Sequence, residues 1–155
     1  MASSTEQGGI EFRPPLTEVQ AAFRKLAAEM LDRSVPNAQV AAFLDGWVQR
    51  NFRGEGRLVG GWTPFKRRGR YIPGVGLDRR AKLLQNTGFL RASFRSTFDK
   101  DTVSIGSDVP YARYHEEGTK TLPQRRMLPH EADVIVDVLK IYDRHFDRLA
   151  RKPLW

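Results

Sequence analysis

The sequence predicts an α+β fold: a small antiparallel sheet, the central hairpin 89–106, packed with N- and C-terminal helices. Two observations carry this. Apolar residues recur at three- and four-residue steps near both ends of the chain, the spacing of amphipathic helices. Between them, Phe89 to Gly106 alternates with a period of two around a turn, the pattern of a hairpin with one half-buried face. Helices flanking such a sheet make an α+β layer arrangement.

The elements follow in order. Residues 1–13 show no periodicity and are expected to form a flexible arm, leaving one domain over 14–152, near the commonest domain size. After Pro14-Pro15, Thr17 and Gln20 have the spacing of a capping box. Leu16, Val19, Phe23, Leu26 and Met30 then form one stripe, read as core packing, with a docking surface for a neighbouring subunit as the lesser reading. Ser34-Val35-Pro36-Asn37 breaks that helix, and a second is expected to begin at or just after Pro36. Its apolar face is Val40, Phe43, Leu44, Trp47 and Val48, with Phe52 at its end. Gly54 and Gly56 make a turn, since they lack the context of a nucleotide-binding fingerprint. Gly60 to Phe65 forms an aromatic corner tucked against the core.

A basic loop follows over 66–82. It holds Lys66, Arg67, Arg68, Arg70, Arg79, Arg80 and Lys82 against the single acid Asp78, so six of the chain's +8 net charges sit there. Two readings stand side by side: a solvated loop that keeps the protein soluble, or, since the concentration exceeds what solubility requires, a DNA-facing or partner-facing segment with Tyr71 available for stacking. Leu83 and Leu84 begin a helical turn that stops at Gly88. In the strand that follows, Leu90, Ala92, Phe94, Ser96 and Phe98 share one face. Asp99-Lys100-Asp101 supplies the turn, and Val103 and Ile105 point inward on the return. Tyr111 to Glu117 is helical and Gly118 ends it. An extended loop leads to Pro129 and the last helix, whose apolar side is Ile135, Val138, Leu139, Tyr142, Phe146 and Leu149. Acids at its start and bases at its end complement the helix dipole.

Several functions are disfavoured. Cysteine is absent, so neither disulfides nor thiolate metal sites are available. No apolar run approaches the roughly 20 residues that span a bilayer, and Met1 to Gly9 lacks the apolar centre of a secretory signal. His115-Glu116 resembles the start of a zinc-protease helix, but Thr119 stands where the second histidine is required. No serine occupies a Gly-x-Ser-x-Gly elbow. The expectation is a protein without catalytic residues, metal or cofactor.

Several motifs recur here in one order: Gly61-Trp62-Thr63-Pro64; Leu83-Leu84-Gln85-Asn86-Thr87-Gly88-x-Leu90-Arg91-x-Ser93; Val103-x-Ile105-Gly106; and Tyr111-Ala112-x-x-His115-x-x-Gly118. Leu122-Pro123-x-Arg125-x-Met127-Leu128 follows them. Together they resemble the virion morphogenesis, or tail completion, family of tailed bacteriophages, including Mu-like phages. Arg126 stands where that family often has proline, and Glu117 is unusual beside the glycine. The resemblance implies a structural α+β subunit of the neck and upper tail of the virion, assembled in the bacterial host cytoplasm. It would form a homo-oligomeric ring, commonly a hexamer, at the head-proximal end of the tail. Its partners would be the head connector and the tail tube or terminator proteins, with genomic DNA passing non-specifically through the lumen and no membrane involved. Trp62, Thr87, Gly88, Leu90, Tyr111, Ala112, His115, Gly118 and Pro123 would be structural motif residues. The alternative from charge alone is a free-standing basic module that binds nucleic acid.

Overall fold

The computed structural model describes residues 16–64, 70–74, 76–78 and 81–152. The expected arm 1–13 lies outside them, as do Lys66, Arg67, Arg68, Arg79 and Arg80 of the basic segment. The order of elements is α1 (Leu16–Leu31), α2 (Ser34–Arg53), a 3-10 turn (Arg57–Val59), β1 (Arg70–Ile72), β2 (Gly76–Asp78), α3 (Phe89–Ser93), β3 (Arg95–Phe98), β4 (Val103–Gly106), α4 (Ala112–Glu117) and α5 (Glu131–Ala150). No helix among the described residues is long and apolar enough to cross a membrane.

The 20-residue helix α2 is the spine of the fold. Val40, Leu44, Trp47, Val48 and Phe52 are buried along it, as its periodicity predicts, and Phe52 is wholly enclosed. Trp62 meets Phe52 edge-on at 5.2 Å between ring centroids, and Phe94 lies 5.7 Å from the same ring. Trp62 of the expected aromatic corner therefore completes the core, while Phe65 lies outside the described residues. A polar row at four-residue steps on α2 holds the hairpin. Asn37 Nδ2 donates to Asp99 O at 2.7 Å. Ser96 Oγ donates to Ala41 O at 2.8 Å, and Ser96 N donates to Asp45 Oδ1 at 3.0 Å. Gln49 Nε2 donates to Arg91 O at 3.2 Å. The four-residue step keeps these groups on one helix face, where residue 91, the strand and the hairpin turn reach them in sequence. Asn37 also accepts from Tyr142 of α5, so one buried amide joins helix, turn and helix.

The hairpin pairs Arg95 with Gly106 and Phe98 with Val103. Asp99 shapes the turn: its Oδ1 accepts from Asp101 N at 2.7 Å and Thr102 N at 2.8 Å. Those N–H bonds, with the Thr102 hydroxyl, hold the Asp99 carboxyl below its ordinary pKa. A second antiparallel ribbon pairs β1 with β2 inside the basic segment, which the sequence reading treats as a loop.

Several expectations need correction. The strand begins at Arg95, and residues 89–93 form the short helix α3, preceded by Gly88 at φ 75°. Phe98, expected inward, is 50% exposed, and Ala92 is exposed. Helix α2 begins at Ser34, before Pro36, because Asp32 Oδ1 accepts from Ser34 N at 2.9 Å and a proline in the first turn removes no intrahelical bond. Thr17 lies inside α1, so it is no N-cap. On α5, Val134, Ile141 and His145 are buried and the expected Val138 and Tyr142 pack against the core, while Ile135 and Leu139 remain exposed. The largest departure is α1: no residue of its stripe joins the buried core among the described residues, and Leu16, Phe23 and Met30 are exposed.

Candidate assembly surface

The motif residues converge on the loop between α4 and α5. Residues 125–128 lie in no helix or strand, so their backbone groups require partners from elsewhere. Three elements supply them. From α2, the wholly buried Asn51 donates through Nδ2 to Arg126 O at 3.1 Å and Met127 O at 3.3 Å. From the aromatic corner, Trp62 Nε1 donates to Arg126 O at 2.8 Å. From α4, the Glu116 carboxylate accepts Met127 N at 2.6 Å and Leu128 N at 3.3 Å. Arg125 completes the clasp: its N donates to His115 O at 2.7 Å and its Nε to Thr63 O at 3.0 Å. Met127 is thereby fully enclosed.

Electrostatics follow from this burial. Burial pushes the Glu116 carboxyl above its ordinary pKa, against the two N–H bonds that favour its charge. Burial, and then the Arg125 charge, holds His115 below its ordinary value, and its Nδ1 is buried without a hydrogen-bond partner. The Arg126 side chain, placed where proline is common in the family pattern, pairs with Asp133 at 2.9 Å. Asp133 in turn accepts His130 N at 2.8 Å at the start of α5, and that bond lowers its pKa first, with Arg126 adding to it.

Glu116 carries a pH prediction. Its folded pKa is raised, so between the ordinary carboxylate value of 4.5 and that higher value the folded chain binds the proton and the unfolded chain does not. Stability from this group therefore falls as pH rises through the window. In urea titrations from about pH 4 to pH 7, the stability difference between wild type and Glu116→Gln should shift against wild type as pH rises. A difference independent of pH would contradict the assignment.

Two glycines are fixed by this packing. Gly56, at φ 82°, lies so close to Trp62 that an added Cβ would sit 2.1 Å from ring Cδ1. Gly118, at φ 76°, would place a Cβ 2.9 Å from Gln124 N. Gly118 both ends α4 and lets the loop fold back beside it.

The remaining motif residues have local roles. Thr87 Oγ1 accepts Phe89 N at 3.3 Å, and Leu90 and Ala112 are buried. Tyr111 precedes α4 and is 43% exposed. Pro123 lines a groove of about 610 Å³ with Thr63, Pro64, Leu122 and Arg125, at the point where the chain enters the basic segment. Of that segment, Arg70 and Tyr71 lie in β1 and Lys82 is exposed. The sequence reading missed Asn51 and Glu116, and took Arg125 as a motif letter without a contact. Among the described residues, no three histidine or carboxylate side chains group to hold a metal ion.

The described residues form a helix-rich α+β domain in which Asn51, Trp62, Glu116 and Arg125 hold backbone groups around the 125–128 loop. The chain belongs to the phage virion morphogenesis family, whose model matches residues 15–146. No curated protein and no solved structure matches it.

Proposed function

We propose that this chain is a tail completion or head–tail joining subunit, forming a homo-oligomeric ring at the head-proximal end of the tail. In this reading it contacts the head connector on one side and tail tube or terminator proteins on the other. It works by shape and assembly, without catalysis, cofactor or membrane. The observation that carries the reading is the family match over 15–146, which takes in α2, the hairpin and the clasp around Met127. The concentration of positive charge in 66–82 adds a role for that segment at the path of DNA, where contacts to phosphates carry no sequence information.

Deleting the gene should give particles with filled heads and separate tails, and complementation should restore joined virions by electron microscopy. Joined, infectious particles without this chain would sink the reading. The charge also favours a second reading, a free-standing module that binds nucleic acid. Sub-micromolar DNA binding by a monomer at physiological salt would support that one instead.

A further inference from the structure

Arg125 is 8% exposed, and its charge is left uncompensated. The adjacent Arg126 pairs with Asp133, whereas no carboxylate among the described residues pairs with Arg125. A guanidinium holds its N–H donors in a planar fork. The Nε–H bonds Thr63 O at 3.0 Å, and no group among the described residues accepts from the terminal nitrogens. The buried side-chain atoms without a partner there are Asn51 Oδ1, His115 Nδ1 and His145 Nε2. The terminal nitrogens of Arg125 are therefore not sealed in, and they open on the groove that Arg125 lines. Burial lowers the Arg125 pKa, the mark of a cation stripped of water without gaining an anion.

That groove holds about 610 Å³, room for a side chain and its neighbours. Pro64, Leu122 and Pro123 are its walls, and Lys120 stands exposed at its rim. No acid lines it among the described residues. The turn that carries Lys120 is fixed in place. Thr119 N donates to Leu122 O at 2.8 Å, and Leu122 N donates to Thr119 Oγ1 at 3.0 Å.

Charge and shape select the occupant. Two cations without an acid favour an anion, and the basic segment that begins two residues past Pro64 strengthens the same field. A carboxylate matches the planar fork of a guanidinium with two parallel bonds. The apolar walls suit the methylene stem of an acidic side chain and the residues on either side of it. Duplex DNA carries its phosphates on a convex surface, so they meet Lys120 at the rim and not the recessed Arg125.

We propose that Arg125 anchors a binding site for an acidic peptide segment of a neighbouring protein, whose carboxylate enters the groove between Pro64 and Leu122 and pairs with the guanidinium. This deepens the assembly reading above by naming the chemistry of one contact, and rests on that reading only for which protein supplies the segment.

The test uses the full-length chain and a capped peptide with one glutamate between leucines, followed by NMR at the Arg125 Nε–H. The signal should shift on titration with a Kd of about 1 mM or tighter. The same peptide with glutamine should bind about tenfold more weakly or worse. Lys120→Glu, at the exposed rim, should weaken the glutamate peptide by about tenfold with an unchanged melting temperature. Arg125→Lys keeps the charge but loses the fork, and should lose the peptide; if it fails to fold, Lys120→Glu carries the test. No shift with the glutamate peptide, or equal shifts with both peptides, overturns the proposal. So does a larger shift from a DNA duplex, which would make this a phosphate site, or a shift with protein concentration alone, which would make the occupant a second copy. Joined particles from a gene-deleted phage would instead sink the tail reading while leaving this binding intact.

Discussion

Asn51→Asp costs the folded chain about 4 kcal/mol at neutral pH, the range for a buried charge left without compensation. The substitution is isosteric, so packing around the wholly buried position is unchanged. What changes is the sign of the contact. Nδ2 now donates to the carbonyls of Arg126 and Met127 at 3.1 and 3.3 Å, and a carboxylate oxygen there faces two acceptors with no proton between them. The new carboxyl relieves this by binding a proton, so burial raises its pKa. With the folded pKa above the unfolded one, the loss is largest at neutral pH and shrinks as the solution is acidified through the carboxylate range. Urea titration across pH measures both features. A loss below about 1 kcal/mol, the net worth of one ordinary hydrogen bond, would mean the 125–128 clasp is not the keystone described here.

Gly56→Ala costs about 3 kcal/mol, from two sources. A φ of 82° disfavours any side chain by about 1–2 kcal/mol. The new methyl also falls 2.1 Å from a Trp62 ring carbon, and the ring is pinned by its bond to Arg126 O and its edge contact with Phe52. Overpacking of this kind costs about 1–3 kcal/mol. For a chain of this size the sum lowers the melting temperature by about 10 °C. Gly60→Ala shares the left-handed backbone, at φ 91°, but its Cβ meets nothing within 4 Å, so it should lose only the backbone part. Equal losses at the two sites would remove the Trp62 contact from the account.

Much of this architecture was legible in the residues. The α2 face, the Asp99 turn, the Trp62 corner and the Gly118 stop each depend on short-range patterns, and the structure keeps them. Where the pattern admits two geometries, it misleads. Leu90 and Phe94 lie four apart, which satisfies the alternation of a strand and the turn of a helix equally well; both are buried, Leu90 within α3 and Phe94 just after it. On α5 the apolar residues span a wide arc, and periodicity alone does not say which edge of it faces inward. The row on α1 shows the same limit more sharply. Spacing reports that a helix is two-sided, and is silent on whether its own chain or another covers the apolar side. The clasp was hidden for a different reason. Asn51 reaches backbone carbonyls 75 and 76 residues away, and no local spacing encodes such a bond.

Asn51, Trp62 and Glu116 hold the 125–128 loop against the spine helix, and Leu16, Phe23 and Met30 of α1 stay exposed. The central claim is that the chain acts as a subunit of the phage particle at the joint of head and tail. Imaging of purified virions carrying a labelled copy tests it most directly. The account predicts label confined to the neck, in a closed ring of copies. Label on the tail shaft or head shell, or its absence from finished particles, would contradict it.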